Sequence, residues 1–395
     1  MAVSRQARVG VLGAGTMGSG IAQVAAVAGH DVVLADAYAP SLEKARVGLA
    51  KAFAREAGKS RMTAEAAEAA ESRITVAPVT QDDYQAFRGC DVIIEAIVED
   101  LAVKQRVFGA MEAVVSDQCI LATNTSSLSV AGIAAACTLR GRVIGLHFFN
   151  PAPVLPLVEV VQAITSDAAV VQRGRELVDS WKKVSVIARD TPGFVVNRVA
   201  RPFYGESLRI HEEGIADMAT IDWAMTELGG FRMGPFELMD LIGNDVNFAV
   251  TSSVFEAMGY DPRYRPSITQ RRMVEAGLLG RKTGTGYYDY RDGAVRPQAT
   301  KDRGLGQRIV DRVVAMLINE AADAVLFRIA SAKDVDLAMT KGVNYPRGLL
   351  AWADEIGPAE VQRRLAALQE EYGEDRYRTS ALLRAKARAG ERFHA

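Results

Sequence analysis

The sequence predicts an α/β domain with a mostly parallel, doubly wound sheet, followed by two tandem all-α modules. In the first part of the 395-residue chain, short apolar runs typical of strands alternate with helical segments. Beyond residue 189 such runs become scarce and helical periodicity dominates. Part of this helical region is repeated further along the chain, so we expect two modules of one kind.

Six strands are predicted in the first domain, which we place at residues 1–188. Each is an apolar run that ends near polar or turn-forming residues. The strands are predicted at Arg8–Leu12, Asp31–Ala35, Val92–Ala96, Ile120–Thr123, Val143–Leu146 and Leu157–Val161. Ser41 is the expected N-cap of the helix that follows the second strand. Because helices separate most of these strands, we expect them to pair mostly in parallel.

The helical region is divided into two modules by a polar segment. The first module is predicted at residues 189–292, the linker at 293–306 and the second module at 307–395. Phe194–Glu213 has the pattern of one long helix, which Pro202 should kink or divide. Phe236–Met258 is predicted as a further helix, and the glycine-rich segment Gly280–Tyr290 as the non-helical end of the first module.

The two modules are related by a repeat that needs no gap. When Arg198–Gly243 is placed on Arg312–Gly357, 13 of the 46 residue pairs are identical, Glu206 with Glu320 among them. This identity favours a tandem duplication, the alternative being a chance similarity of alanine-rich helices. A duplicated surface is self-complementary, so we expect either a monomer with an internal pseudo-dimer or a homodimer.

Composition excludes several classes of partner. The net charge is −1 and no segment carries a long run of one sign, so neither nucleic acid nor a membrane surface is expected. Three cysteines without CxxC spacing are typical of a reducing compartment, and no metal site is predicted. With no apolar run of membrane-spanning length and no signal-peptide segment, we expect a cytoplasmic protein.

A glycine-rich motif follows the first strand and opens the first helix. It consists of Gly13, Ala14, Gly15, Thr16, Met17 and Gly18. The first glycine permits a tight turn, the second lets the backbone approach a pyrophosphate, and the third lets helix and strand pack closely. Asp36, at the end of the second strand, would accept hydrogen bonds from a ribose and repel a 2′-phosphate. The motif predicts a Rossmann-type site for NAD, the alternative being a glycine turn that binds nothing.

His147 is the candidate base among the four histidines. It ends an apolar strand, and in open α/β sheets ligands bind beyond the carboxyl ends of the strands. Histidine side chains titrate near neutrality, which suits removal of a proton from an alcohol. Glu159 interrupts another apolar strand, where a carboxylate needs water or a partner. The two residues could form a His–carboxylate pair; alternatively, His147 is structural and Glu159 is solvated on an edge strand.

Polar residues at two further places could hold a substrate oxygen. Asn124–Ser127 follows the strand Ile120–Thr123, although asparagine and serine are also ordinary turn residues. Asn197 lies near the start of a predicted helix, where asparagine is mildly unfavourable, so a local partner or a functional role is expected.

Together these segments resemble the 3-hydroxyacyl-CoA dehydrogenases over essentially the full length of the chain. The motifs that carry the resemblance are GAGTMGSGIAQVAA, DVIIEAIVEDLAVKQRVF, ATNTSSLS, GLHFFNPAPVLPLVEVV, DTPGFVVNRVARPFYGE, GGFRMGPFELMDLIG and GRKTGTGYYDY. Within this family, the duplicated module and the segments RPFYGE, RGLLAWADEIG and RFHA are most similar to the phenylacetate-pathway 3-hydroxyadipyl-CoA dehydrogenases. The resemblance implies NAD as cofactor, an L-3-hydroxyacyl-CoA as substrate, and 3-ketoacyl-CoA and NADH as products.

The resemblance also implies roles for individual residues. His147 matches the family's base, and Glu159 matches the carboxylate that orients it. Ser126 and Asn197 match residues that contact the substrate oxygen. The residues that match positions lining the nicotinamide half of the cofactor site are Glu99, Lys104, Ser126 and Asn150, and Ala96 is a further expected cofactor-binding residue. The basic residues that could meet the CoA phosphates are Lys51, Lys59 and Arg61.

Two departures limit what the resemblance implies. Leu155-Pro156 stands where many short-chain members have Met-Lys, so the acyl-chain preference is open. Asp311 stands in the second module where the first has Asn197, so the second module is expected to be structural. The alternatives to an adipyl enzyme are a 3-hydroxybutyryl-CoA dehydrogenase, an NAD-binding protein without catalysis, and a dehydrogenase of free hydroxy acids.

Overall fold

A computed structural model describes residues 7–80 and 83–394, which form two compact units that divide between Thr191 and Pro192. The first unit is an α/β domain built around one eight-stranded sheet, and the second unit is helical. This confirms the predicted fold class, a Rossmann-type α/β domain followed by an all-α region.

The sheet of the first unit is mostly parallel. Its strands are β1 (Arg8–Leu12), β2 (Asp31–Asp36), β3 (Ile74–Pro78), β4 (Val92–Glu95), β5 (Ile120–Thr123), β6 (Val143–Phe148), β7 (Leu157–Gln162) and β8 (Val184–Arg189). They lie in the order β3-β2-β1-β4-β5-β6-β7-β8. Every neighbouring pair is parallel except β6 and β7, which are antiparallel. The central strands β4, β5 and β6 are buried along their whole length, as parallel strands covered on both faces are.

The two edge strands, β3 and β8, were not predicted. Strand β3 is only partly buried along its length, and β8 carries Ser185 and Arg189 among its apolar residues. A strand at the edge of a sheet is covered less completely than a central one, so it need not have the continuous apolar run by which the central strands are recognised.

The helices of the first unit connect these strands. They are α1 (Thr16–Val27), α2 (Ala39–Gly58), α3 (Ala64–Ser72), α4 (Leu101–Glu112), α5 (Val130–Ala134) and α6 (Ala168–Ser180). The prediction that Ser41 caps α2 is wrong, because the N-cap is Tyr38 and Ser41 lies inside the first turn. Pro40 explains the earlier start, since its restricted φ favours the first turn of a helix.

The second unit contains eleven α-helices within the described residues. The first repeat holds α7 (Val196–Val199), α8 (Arg201–Glu212), α9 (Met218–Trp223), α10 (Pro235–Ile242), α11 (Asn244–Ala257) and α12 (Ile268–Glu275). The second holds α13 (Arg303–Leu326), α14 (Ala332–Gly342), α15 (Leu349–Ile356), α16 (Pro358–Tyr372) and α17 (Ala381–Ala389).

The boundaries of these helices follow local chemistry. The predicted helix Phe194–Glu213 is divided at Ala200, just before Pro202, as proline requires. The predicted helix Phe236–Met258 is divided at Gly243, whose φ of +103° few other residues adopt. Helix α13 begins at Arg303, inside the segment predicted as a linker.

The two repeats pack against each other through reciprocal ion pairs. Arg198 of the first repeat binds Glu320 of the second, with 2.6 Å between Nε and Oε1. Arg312 of the second repeat binds Glu206 of the first, with 3.0 Å between Nε and Oε2. Arg198 and Arg312 occupy one position of the repeat, and the two glutamates occupy another. This reciprocity is the property expected of an isologous contact, here formed within one chain.

Three further properties bear on function. No helix in the described ranges is both long and apolar enough to cross a membrane. All three cysteines are buried and none forms a disulfide. Within residues 7–80 and 83–394, no three side chains of the His, Cys, Asp or Glu type are grouped so that they could hold a metal ion.

Candidate active site

The glycine-rich loop between β1 and α1 has the geometry of a nucleotide-binding turn. Gly13 has a φ of +104°, and a β-carbon there would lie 2.5 Å from the backbone oxygen of Ala96. A β-carbon on Gly18 would lie 1.7 Å from the backbone oxygen of Gly13, so the helix and the loop need glycine to pack this closely. At Gly15 no atom lies within 4 Å of the added carbon. The loop is therefore tight where it packs on the protein and open at Gly15.

The start of α1 offers backbone donors rather than side-chain charge. Gly15 is the N-cap and makes no side-chain hydrogen bond, and the first turn contains no acidic residue. Thr16 is exposed and Met17 is partly buried in this turn. Backbone N–H groups and the helix dipole at such an end attract a phosphate. With the open approach at Gly15, these residues fit the pyrophosphate of NAD.

Asp36 is held against the glycine-rich loop. Its Oδ2 accepts a hydrogen bond from the backbone N–H of Ala14 at 2.7 Å, and its Oδ1 accepts one from Tyr38 at 2.8 Å. Each carboxylate oxygen can accept more than one hydrogen bond. The partly exposed Asp36 therefore retains capacity for the ribose hydroxyls that the sequence analysis assigns to it.

A cluster of charged side chains, in which Glu95 and Lys104 are buried, lies at the carboxyl end of β4. The Lys104 side chain is 1% exposed, and its Nζ lies 2.5 Å from Glu95 Oε1 and 3.2 Å from Glu99 Oε2. Thr123 also donates to Glu95, at 2.7 Å. Burial alone would raise the pKa of Glu99, but the Lys104 ammonium and hydrogen bonds from residues 125–127 lower it. Glu99 is therefore a partly exposed carboxylate that stays ionised.

Glu95 is a residue of this cluster that the sequence analysis missed. It is fully buried and ends an apolar strand, Val92–Glu95. The same signal, an acidic residue in or after an apolar run, singled out Asp36 and Glu159. Applied consistently, this signal would also have found Glu95. The pairing of Glu95 with Lys104, however, depends on the fold.

His147 and Glu159 stand opposite each other on the antiparallel strands β6 and β7. The distance between His147 Nδ1 and Glu159 Oε2 is 2.6 Å. His147 is 5% exposed and Glu159 is fully buried, with β8 covering the far side of β7. The alternative in which Glu159 is solvated on an edge strand therefore does not hold. The ring of Phe149 lies 4.5 Å from the imidazole, centre to centre.

The loop after β5 joins the cluster at β4 to the end of β6. Asn124 accepts a hydrogen bond from the backbone N–H of Phe148 at 2.8 Å through its side-chain oxygen. Ser126 is partly exposed, and its backbone N–H donates to Glu99 at 3.1 Å. Asn150 is exposed and precedes a cis peptide bond to Pro151.

The first unit thus brings most of the predicted site to one edge of the sheet. Strand β1 leads into the glycine-rich loop, β4 into the segment with Glu99, and β5 into the loop with Ser126. His147 lies near the carboxyl end of β6 itself. These strands are adjacent and mutually parallel, so their carboxyl ends lie side by side. This is the edge at which open α/β sheets bind ligands.

The remaining predicted residues belong to other elements of the chain. Asn197 belongs to α7 of the second unit and is partly buried. Lys51 lies in α2, and Lys59 and Arg61 follow it; all three are exposed, and Arg61 pairs with Glu56 at 3.2 Å. Within residues 7–80 no hydrogen bond or ion pair joins these three bases to the glycine-rich loop, so their role at the CoA phosphates stays a prediction.

Comparison with known proteins assigns both units to one family. Residues 8–191 match the family model described as 3-hydroxyacyl-CoA dehydrogenase, NAD binding domain. Residues 193–290 and 309–393 each match the C-terminal domain of the same family. The second match covers the segment that the sequence analysis interprets as a duplicated module.

Two relatives and two solved structures illustrate the similarity. The chain is 39% identical to 3-hydroxyadipyl-CoA dehydrogenase of Escherichia coli K12, over 96% of this chain and 97% of that protein. It is 40% identical to 3-hydroxybutyryl-CoA dehydrogenase of Bradyrhizobium diazoefficiens, over 72% and 95%. The crystal structure of 3-hydroxybutyryl-CoA dehydrogenase from Escherichia coli K12 superposes with a TM-score of 0.91 at 38% identity, covering 98% of this chain and 99% of that one. The (S)-3-hydroxybutyryl-CoA dehydrogenase of Ralstonia eutropha gives 0.69 at 35% identity, covering 73% and 100%.

Proposed function

Because the chain belongs to the 3-hydroxyacyl-CoA dehydrogenase family, we propose that it oxidises the 3-hydroxyl of an L-3-hydroxyacyl-CoA with NAD, and that 3-hydroxyadipyl-CoA is its main substrate. The observation that carries the proposal is the buried His147–Glu159 hydrogen bond of 2.6 Å at the ligand-binding edge of the sheet. The products are 3-ketoacyl-CoA and NADH.

In this mechanism His147 removes the proton of the 3-hydroxyl group. Glu159 is hydrogen-bonded to Nδ1 of His147, so the substrate proton is taken up at Nε2 of the same ring. An imidazolium forms as the proton is taken, and the Glu159 carboxylate balances its charge. General base action of this kind contributes about 10²–10⁴-fold to the rate. Ser126 and Asn197 orient the reacting oxygen, roles carried over from the family resemblance.

The remaining first-unit residues hold the cofactor. The glycine-rich loop and the start of α1 bind the pyrophosphate, and Asp36 binds the adenosine ribose. Glu99, Lys104, Ser126 and Asn150 line the nicotinamide half of the site, and Ala96 also contacts the cofactor. NAD held by these residues would supply the acceptor for the hydride of carbon 3. The nicotinamide ring carries a positive charge before the reaction, and the ionised Glu99 carboxylate would stabilise that charge.

We assign one role to each of the predicted segments of the chain. Residues 1–188 bind NAD, residues 189–292 bind the acyl group, and residues 307–395 form a second module with a structural role. The reciprocal pairs Arg198–Glu320 and Arg312–Glu206 support a chain that works as a monomer with an internal pseudo-dimer. Light scattering coupled to size-exclusion chromatography tests this, and a dimer of the full chain would contradict it.

The adipyl substrate is supported by the relative of that name, which matches the chain through the second module. A 3-hydroxybutyryl-CoA dehydrogenase is the second candidate, because a structure of that description also covers 98% of the chain. NADH formation measured with 3-hydroxyadipyl-, 3-hydroxyhexanoyl- and 3-hydroxybutyryl-CoA decides between them. The highest kcat/KM is expected for the adipyl thioester. A highest value for the butyryl thioester would refute the substrate, and no activity with any thioester would refute the dehydrogenase.

A further inference from the structure

Arg201 is a buried arginine at the start of α8, with only 6% of its surface exposed. Its Nε donates to the backbone oxygen of Asn197 at 2.7 Å, and its Nη1 donates to Thr251 Oγ1 at 3.0 Å. The guanidinium carbon lies 4.9 Å from the ring centre of Tyr204. All three partners are neutral. A guanidinium has five N–H donors, and within the described chain these hydrogen bonds use two nitrogen atoms.

Arg201 differs in this respect from the other buried arginines. Five arginines are buried in the part of the chain that the structure describes, and Arg201 is the one without an ion pair to a described carboxylate. The other four are Arg142, Arg198, Arg312 and Arg376. Burial opposes the charge of Arg198, but Glu320 raises its pKa, whereas for Arg201 burial prevails and lowers the pKa.

A buried cation without a carboxylate is unfavourable for folding. The contact with the Tyr204 ring and the two hydrogen bonds offset only part of that cost. Such a group is suited to a ligand that brings its own anion, because a carboxylate accepts two parallel hydrogen bonds from one guanidinium. The cost is then offset in the complex rather than in the free protein.

The position of Arg201 relates it to the proposed chemistry. It stands four residues after Asn197, the residue assigned to the 3-hydroxyl oxygen, and is hydrogen-bonded to it. Asn197 lies in α7 and Arg201 begins α8, with Ala200 at the division between the two helices, and the 2.7 Å hydrogen bond holds the guanidinium beside the Asn197 backbone. In a six-carbon dicarboxylyl chain, carbon 3 and the terminal carboxylate carbon are three bonds apart, about 4 Å when extended. A substrate whose 3-hydroxyl meets Asn197 would therefore carry its terminal carboxylate only a short distance from that residue, within the range of a guanidinium held beside it.

The second module lacks this combination of residues. By the offset of the repeat, Asp311 stands opposite Asn197 and Ala315 opposite Arg201. The arginine that joins the modules is present in both copies, as Arg198 and Arg312. Arg201 is therefore tied to the module that carries Asn197 and not to the contact between modules.

From these observations we propose that Arg201 binds the terminal carboxylate of a dicarboxylyl-CoA and makes the enzyme prefer it to a monocarboxylyl thioester of the same length. This inference rests on the proposed function, since it assigns the recognition of that substrate to one side chain. It goes further in predicting that the preference depends on charge at the end of the acyl chain and not on chain length.

The test compares the wild type with Arg201→Met on 3-hydroxyadipyl-CoA and 3-hydroxyhexanoyl-CoA, two thioesters with six-carbon acyl chains, with NADH formation as the readout. Methionine keeps an unbranched apolar chain in place of the aliphatic part of arginine and removes the charge. The wild type should prefer the adipyl thioester. The ratio of the two kcat/KM values should fall by about 30-fold or more in the variant, because truncation leaves the substrate carboxylate buried and unpaired.

Arg209→Met is the matched control. Arg209 lies two turns further along α8, and its guanidinium is paired with Glu374 at 2.7 Å. The ratio should be unchanged in this variant. Should Arg201→Met not fold, Arg201→Gln replaces it, because glutamine can still hydrogen-bond to the neutral partners.

The outcomes separate this inference from the proposed function. An unchanged ratio in either Arg201 variant would overturn the inference and leave the dehydrogenase activity standing. So would a wild type that oxidises both thioesters without preferring the adipyl one, a result that needs no variant. A wild type that oxidises neither thioester refutes the proposed function itself.

Discussion

Replacing Glu159 with glutamine tests the proposed mechanism most directly. Glu159 is fully buried, and its Oε2 lies 2.6 Å from His147 Nδ1. Glutamine has nearly the same shape, and its side-chain oxygen can still accept the hydrogen bond from Nδ1. The orientation of the imidazole is therefore kept, and what is removed is the negative charge opposite the imidazolium that forms as the substrate proton is taken.

The magnitude follows from the strength of a buried, charge-assisted hydrogen bond. Hydrogen bonds to charged groups contribute about 1.5–3 kcal/mol, and each 1.36 kcal/mol corresponds to a factor of ten in rate, so we expect kcat to fall about 10- to 150-fold. The loss should fall on kcat and not on KM, because the imidazolium exists in the transition state and not when substrate first binds. Glu159 is a positioning residue, and the effect should be smaller than that of removing His147.

The assay is steady-state NADH formation with 3-hydroxyadipyl-CoA, together with the Kd for NAD and the thermal midpoint of each variant. Glu112→Gln is the control, because Glu112 is a carboxylate of the same unit that accepts hydrogen bonds from the backbone of residues 138 and 139. If kcat of Glu159→Gln stays within twofold of the wild type, or if only stability changes, the assigned role is wrong.

Three further predictions follow from the same structure. His147→Gln should lower kcat by about 10²–10⁴-fold with an unchanged Kd for NAD, and near wild-type turnover would contradict its role as the base. The pKa of Glu99 is lowered in the folded state, so its carboxylate stabilises the protein at neutral pH, and this contribution is lost as the pH falls through the lowered pKa. Glu99→Gln should therefore reduce the free energy of unfolding more at neutral pH than in acid, as measured by urea titrations. An equal reduction at both pH values would refute this. Arg312→Met and Arg198→Met should each destabilise the fold by about 3–5 kcal/mol, since each leaves a buried glutamate with fewer partners; an effect below about 1 kcal/mol for either in urea unfolding would argue against the reciprocal contact.

The sequence pattern was a good guide wherever a residue is unusual for its surroundings. Glycines at three spaced positions, a glutamate inside an apolar strand and a histidine at the end of another can be read without knowing what lies nearby. The central strands and the offset of the repeat were accessible for the same reason, since periodicity and identity are properties of the chain alone. The edge strands β3 and β8 were missed because polar or partly exposed positions interrupt the apolar run in each of them.

Tertiary structure decided which of these residues are partners. His147 and Glu159 pair because antiparallel strands β6 and β7 place them in register, and Glu95 meets Lys104 because α4 returns to the end of β4. Whether an arginine is paired also depends on the fold. Burial and register arise from contacts between distant segments, so they cannot be read from the sequence. The sequence determined which residues are unusual. Only the packing of the helices decided that Arg201 has no described carboxylate beside it.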